Sequence, residues 1–326
     1  MPLIRRYDEP DCRAILPEFI TKRLVVSCKL PLRFVILIGY SNMRLRTMTN
    51  RDVVAGLRLN TLAGWNQTAT DWHRFLDASP EGCFVAEIDE QVCGTATTIS
   101  YQERFAWIGM VLVDPQYRKR GIGTQLLRRT VEYLDQCGIP TMKLDATPQG
   151  QPIYEKMGFV TEYQIERWIL KRLPDQIVKL ATSNIAPLTE AQLSTIQDKD
   201  QHVFDADRSQ LLRSLHSETP EFAMGVFEQG ALRGYALGRR GSFADHLGPW
   251  MAESRSAAKT LIDEFLRRSS RDTLLVDCLT ANPFATELLC ARGFSPSRTL
   301  TRMYRGPNAF PGKPDSLCAI LGPEFG

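Results

Sequence analysis

Along the chain, apolar positions switch between a period of two and a period near 3.6, and the switches cut it into short strands and amphipathic helices. The run from Met43 (MRLRTMTNRDVVAGLRL) predicts an alternating strand over 44–47, then a helix over 51–62 capped by Thr49 or Asn50. A second helix is expected over 70–78. A hairpin follows over 83–88 and 92–99, turning at Asp89-Glu90-Gln91, and then a third strand over 105–113. The unbroken apolar run Trp107-Ile-Gly-Met-Val-Leu-Val113 marks that strand as central, covered on both faces. Beyond it, Leu126, Leu127, Val131 and Leu134 share one face of a helix over 123–136, stopped by Gly138. A strand over 141–146, a short helix through Tyr154 ending at Gly158, and closing strands from Phe159 complete the set.

Charged and turn-forming residues then mark a linker, and the same order begins again. A strand over 185–188 leads to a helical stretch through Leu215, a hairpin over 222–227 and 232–237, and a short apolar run at Trp250-Met-Ala. A helix over 256–268, a strand over 273–278, a helix over 283–291 and a closing strand over 298–304 follow. The repeat is about 135 residues long, anchored by Gly158-Phe159 and Gly293-Phe294. The expected organisation is a poorly packed extension over 1–42, a first domain over 43–171, a linker over 172–184, a second domain over 185–305, and a tail over 306–326. The extension reads as the product of a start upstream of Met43. Within the tail, 317–321 could dock as an edge strand. Each domain reads as α+β, with helices interleaved through a largely antiparallel sheet.

Composition narrows the partners. With 326 residues, 43% hydrophobic and 24% charged, the chain can bury two ordinary cores. A net charge of +3 is too small to imply nucleic acid, so a basic site has to be local, and Arg118-Lys119-Arg120 is the densest candidate near a structural junction. Eight scattered cysteines without a Cys-x-x-Cys pair read as reduced thiols of a cytoplasmic protein, and four histidines without metal-ligand spacing predict no metal site. The apolar run 34–43 is about half the length a membrane span requires, and no cleavage signal accompanies it.

Chemistry concentrates in VDPQYRKRGIGTQLL, residues 113–127, where a strand feeds a helix through two glycines flanked by cations. The first N–H groups of a helix lack intrahelical partners and sit at the positive end of its dipole. Glycines let the backbone approach a ligand closely, so the junction suits a pyrophosphate. A tight turn with solvated cations is the plainer alternative. A dinucleotide fold would place a third glycine where Leu126 stands, and a Walker loop needs Gly-Lys-Ser/Thr, so both of those phosphate loops are excluded.

Arg118-Lys-Arg-Gly121-Ile-Gly123, behind an apolar strand and Val113-Asp-Pro115, resembles the acyl-CoA signature of the GNAT N-acetyltransferase superfamily, and Tyr154-Glu-Lys-Met-Gly158-Phe159 resembles that family's second motif. The resemblance covers 43–171 well and 185–305 more weakly, as in two-domain members whose second GNAT-like domain has diverged. It implies tandem GNAT folds, each a mixed and mostly antiparallel sheet flanked by helices, with acetyl-CoA as co-substrate. Met110, Val111, Leu112 and Val113 would line the pantetheine. Arg118, Lys119, Arg120, Gly121, Ile122, Gly123 and Thr124 would cradle the pyrophosphate, and a backbone N–H near Val111 would face the developing oxyanion. Thr147 would reach a pantetheine amide, although Asp145-Ala-Thr147-Pro-Gln-Gly150 departs from the usual pattern there.

The same resemblance makes Tyr154 the acid that protonates the leaving thiolate, a phenol of ordinary pKa near 10 facing a thiol near 8.5. A half-buried packing role is the alternative for this ring. Glu103 and Asp145 are the candidate bases, with a solvated surface role as the alternative for Glu103. Trp65, Asn66, Gln67 and Trp72 fall in the helical region that borders the acceptor cleft in this family, and they are the expected acceptor residues, with core packing as the alternative for one of the two tryptophans. The implied acceptor is a small-molecule or peptide amine, with no nucleic-acid or membrane partner, and a homodimer is compatible.

The second repeat has Glu253-Ser-Arg-Ser-Ala257-Ala258 in place of the cationic loop and Leu289 in place of Tyr154, while Asn282-Pro-Phe-Ala285 keeps a family feature the first repeat lost. It is expected not to acetylate but to pack on the first domain and shape the acceptor site, with Asp207, Arg208, Arg239 and Arg240 as candidate polar contacts and a solvated surface role as the alternative for these charges. Two function classes follow: an N-acetyltransferase, or a non-catalytic acetyl-CoA-binding sensor that engages a partner. Either should bind one acetyl-CoA.

Overall fold

The computed structural model describes residues 42–173, 185, 188–282 and 284–326. The expected extension, apart from residue 42, lies outside the described residues, as do most of the linker and half of the strand anticipated over 185–188. The first half runs β1 (Arg44–Thr47), α1 (Val53–Ala63), α2 (Ala69–Ala78), β2 (Phe84–Ile88), β3 (Gln91–Tyr101), β4 (Phe105–Val113), α3 (Ile122–Gln136), β5 (Met142–Ala146), α4 (Gln151–Glu155) and β6 (Val160–Lys171). The second runs α5 (Glu190–Phe204), α6 (Ser209–Glu218), β7 (Met224–Glu228), β8 (Ala231–Arg240), β9 (Asp245–Ala252), α7 (Arg255–Arg268), β10 (Thr273–Leu279), α8 (Ala285–Cys290), β11 (Ser295–Arg305) and β12 (Leu317–Ala319).

Local chemistry explains the boundaries. Asp52 accepts from the Thr49 N–H (2.8 Å) and Asp71 from the Thr68 N–H (2.9 Å), so capping boxes precede both early helices. Helix α3 buries Ile122, Leu126, Leu127, Val131 and Leu134, the stripe expected of a 3.6 period. Strand β9 is longer than the run 250–252 suggested, because Asp245 and His246 are buried and interrupt the apolar pattern without ending the strand.

Among the described residues the strands form one twelve-stranded sheet in the order β1-β2-β3-β4-β5-β11-β6-β10-β12-β9-β8-β7. The closing strands are therefore exchanged. Strand β11, from the second half, pairs with β5, while β6, from the first half, pairs with β10, and β6 and β11 meet antiparallel at the centre.

Two matching ion pairs lock the exchange. Arg302 on β11 grips Asp145 on β5 with Nε and Nη2 at 2.9 and 2.9 Å, and Arg167 on β6 grips Asp277 on β10 at 2.7 and 2.6 Å. In each pair the arginine stands directly across the ladder from its aspartate, all four side chains are buried, and each bond joins one half to the other.

The tail departs from expectation. Residues 317–319 do not form an edge strand; β12 lies inside the sheet, wedged antiparallel between β9 and β10. Strands β9 and β10 pair in parallel only from Leu274↔Asp245 to Val276↔Leu247, and past that point β12 fills the gap between them. Among the described residues no helix is long and apolar enough to cross a membrane.

Candidate active site

In the first half the equivalent gap lacks an inserted strand. Strands β4 and β5 pair in parallel only at Ala106↔Met142 and Trp107↔Lys143, and then diverge. A bulge in β4 helps to open them: three residues of β3, Thr95 to Thr97, stand against four of β4, Leu112 to Gly109, and Met110 takes a left-handed φ of 51°. The Met110 carbonyl is turned to accept from Thr95 Oγ1 at 2.8 Å. A cleft of about 550 Å³ follows this divergence, lined by Val111, Leu112, Val113, Arg118, Gly123, Thr147 and Tyr154.

At one end of that cleft is the Gly-rich junction. The first intrahelical bond of α3 runs from the Gln125 N–H to the Gly121 carbonyl (3.0 Å), so the N–H groups of Ile122, Gly123 and Thr124 precede the ladder. Gly121 caps the helix at φ 81°, a conformation that disfavours any residue with a Cβ, and Lys119 at φ 62° shares it. Arg118, Lys119 and Arg120 are exposed; Arg118 Nε donates to the Val113 carbonyl (3.1 Å) and Arg120 lies 5.4 Å over the Tyr117 ring. Nearby Asp114 is paired with Arg58 at 2.5 Å, which keeps its negative charge from opposing an anion in the loop.

Tyr154 and Thr147 close the other wall. Burial pushes the Tyr154 phenol up to about 12, and its ring packs edge-on to Phe159 at 6.1 Å. Thr147 faces the cleft, with its carbonyl and Oγ1 engaged by the Gly150 N–H (2.9 and 3.3 Å). A recess of about 60 Å³ continues inward, shared by Trp65, Gln67, Gly109, Met110, Asp145, Arg298 and Glu324.

The acceptor expectations divide. Trp65 lines both cleft and recess, and Gln67, 4% exposed, lines the recess with its Oε1 unpartnered. Asn66 does not face the ligand space. It accepts from the Phe243 and Ala244 N–H groups (3.1 and 3.1 Å) and donates to the Ala244 carbonyl (3.0 Å), docking the first half on the second. Trp72 is fully buried core beneath α1, absent from the recess. Glu103 is exposed at the β3–β4 turn and lines neither cavity, because the hairpin carries its tip away from the bulge. Asp145 does border the recess, but Arg302 holds both of its oxygens; burial pushes its carboxyl above the ordinary range while Arg302 opposes.

Two charged residues reach the recess from the second half and were missed in the sequence. Glu324 arrives on the segment after β12, which passes so close to β4 that a Cβ on Gly109 would stand 2.8 Å from the Glu324 carbonyl. The segment is pinned by Trp107 Nε1 to the Pro323 carbonyl (2.9 Å) and Tyr101 Oη to the Phe325 carbonyl (2.7 Å). Arg239 Nη2 donates to Glu324 and Arg239 Nη1 to Asp71 (3.4 Å), so Arg239 is a genuine bridge between halves, whereas Arg240 pairs locally with exposed Glu221 at 2.6 Å. Of the other expected contacts, Arg208 is buried on Asp200 and the Gly326 carbonyl (2.8 Å), and Asp207 donates its N–H to Gln102. Arg298 enters through the exchange of β11 and, like Trp65, lines both cleft and recess. The signal for Glu324 was the apolar content of the tail, which places a segment but not a carboxylate; for Arg298 there was none, because its arrival depends on the strand exchange.

Among the described residues no group of three or more His, Cys, Asp or Glu is placed to hold a metal ion. The Acetyltransferase (GNAT) family model matches residues 55–159, and an acetyltransferase (GNAT) domain model matches residues 196–319. The holothin acyltransferase of Pseudoalteromonas sp. (strain SANK 73390) is 24% identical over 263 residues, which cover 80% of this chain and 87% of that protein. A structure assigned as an acetyltransferase of Pyrococcus horikoshii superposes with a TM-score of 0.73 at 23% identity, covering 89% of this chain and 98% of its own. A tandem GNAT protein from the clavulanic acid biosynthesis pathway superposes at 0.57 with 18% identity, covering 82% of this chain and all of its own (100%).

Proposed function

Because both halves of this chain belong to the acetyltransferase (GNAT) family, we propose that it transfers an acetyl group from acetyl-CoA to a primary amine, by direct attack in a ternary complex at one site in the first half. The observation that carries this reading is the coincidence, in one cleft, of three helix-start N–H groups outside the hydrogen-bond ladder, a diverging strand pair and the Tyr154 phenol. Acetyl-CoA supplies the activated acetyl group. Ile122, Gly123 and Thr124 offer their N–H groups, and Arg118, Lys119 and Arg120 their charge, to its pyrophosphate. Met110 to Val113 flank the pantetheine, Thr147 borders it, and the bulged backbone at Val111 presents its N–H to the oxygen that gains charge.

The amine forms the C–N bond as the C–S bond breaks. Glu324, rather than Glu103 or Asp145, takes the amine proton, since it faces the recess beside the β4 bulge. Tyr154 gives its phenolic proton to the departing thiolate. A phenol held near 12 stays protonated at neutral pH, and the same burial raises a thiol beside it, so the transfer between them is not lost. Trp65 and Gln67 border the acceptor.

Free thiol release across an amine library tests the reaction. Tyr154→Phe should lower turnover about 100-fold or more while acetyl-CoA affinity holds, and undiminished turnover would remove Tyr154 from the mechanism. Any alkaline loss of turnover attributable to the phenol should be centred near pH 12, where half of it is ionised, instead of near its ordinary value of 10. Acetyl-CoA binding without turnover on any amine would return the chain to the sensor class.

A further inference from the structure

We infer, on the reading that the first half transfers an acetyl group, that its amine acceptor carries a carboxylate and that Arg298 binds it. Three charged side chains border the recess: Asp145, Glu324 and Arg298. The two carboxylates already have cations, Arg302 on Asp145 and Arg239 on Glu324. Arg298 has no such partner. Among the described residues no carboxylate makes an ion pair with it, and its Nε is buried without a hydrogen-bond acceptor. Its neighbour across the β6–β11 ladder is Arg167, a second cation whose charge is committed to Asp277.

A buried guanidinium N–H without an acceptor is costly, and structures keep such groups where something else satisfies them. Burial, with Arg167 adding repulsion, lowers the Arg298 guanidinium to about 10, which still leaves it charged at neutral pH. The repeat supplies a control. Arg302 and Arg167 are twins across the pseudosymmetry, each gripping an aspartate, but the position related to Arg298 in the same register is Tyr163, whose hydroxyl accepts from Arg302 at 2.5 Å. Arg298 is thus no part of the duplicated lock.

The opposite polarity is nearby. Gln67 Oε1, buried on the same recess, lacks a donor. One molecule with both an amine N–H and a carboxylate would satisfy Gln67 and Arg298 together, while Glu324 faces the amine. A neutral amine would leave the Arg298 N–H unpaired.

The test compares amino acids with their own carboxamides, which keep the shape and lose the charge, as acceptors for the full chain with acetyl-CoA. The wild type should favour the carboxylate by about tenfold or more in kcat/KM. Arg298→Gln should abolish that preference and Arg298→Lys should restore part of it, with the unfolding midpoint unchanged; because Arg298 also borders the coenzyme cleft, acetyl-CoA affinity is measured beside kcat/KM, and the carboxylate preference should be lost whether or not that affinity falls. Equal use of acid and carboxamide, a preference that survives Arg298→Gln, or a defect confined to acetyl-CoA affinity would overturn the inference while leaving acetyl transfer standing. If the wild type binds acetyl-CoA but acetylates neither series nor any neutral amine, the transfer reading fails and takes this inference with it.

Discussion

The two halves build the same gap, and only one leaves it empty. In both, a bulge and a short parallel pairing make neighbouring strands diverge. In the first half, a loop of left-handed residues leads to a helix whose opening N–H groups precede the ladder. In the second, the link from β9 to α7 is short, and Ser254 Oγ accepts from the Ala257 N–H at 3.2 Å, so the helix start is capped by its own side chain. The gap itself holds β12, with Ala319 paired to Trp250, the fully buried counterpart of Val111. The difference teaches that the duplicated framework alone does not make a ligand site. What distinguishes the halves is which strand gap and which helix start the protein leaves unsatisfied. The second half contributes all the same, because the segment after β12 carries Glu324 to the first half's recess and β11 carries Arg298 there.

The largest expected effect tests whether the twin ion pairs are structural on both sides. Breaking a buried pair by removing one charge costs about 3–5 kcal/mol. Asp145→Asn and Asp277→Asn should therefore each lower the denaturant midpoint by a similar amount, although only Asp145 borders the recess. A stable Asp145→Asn protein with turnover reduced a hundredfold would break the symmetry and reinstate Asp145 as the base.

That pair also shows what could be read in the sequence. The repeat, the order of elements and the Gly-rich junction were legible because they rest on local periodicity and on glycines that short loops require. The partner of Asp145 was not, since Arg302 reaches it only through an exchange of closing strands, and nothing local to 160–171 or 295–305 says which sheet each will join. Asn66 and Trp72 were misassigned for a related reason: a polar residue and a tryptophan beside a cleft look alike in sequence whether they face the ligand, the other half or the core. Glu324 was hidden because the docking strand expected in the tail stops at Leu321, short of it, yet Phe325 on its far side stacks on Phe75 at 4.7 Å.

A smaller effect separates the two helix starts. Gly121→Ala forces a Cβ into a left-handed conformation, a strain of about 1–2 kcal/mol, with open space around the added methyl. If the loop relaxes to relieve it, its N–H groups turn from the ligand, and acetyl-CoA affinity should weaken about tenfold. Calorimetry on the wild type should give one acetyl-CoA per chain. A stoichiometry of two would show that the second gap opens, and the contrast between the halves would fail.

The smallest effect is the sharpest control, because it alters the second helix start alone. Ser254→Ala removes the cap from α7 and should cost about 1 kcal/mol of stability, read as a shifted unfolding midpoint. It leaves the N–H groups at 255–257 without that acceptor, which is the condition of the first helix start. Acetyl-CoA affinity and stoichiometry should nevertheless stay unchanged, since β12 still fills the strand gap and no glycine loop precedes the helix. A second, weaker coenzyme site appearing in Ser254→Ala would mean that the serine cap, and not the inserted strand, is what keeps the second half closed.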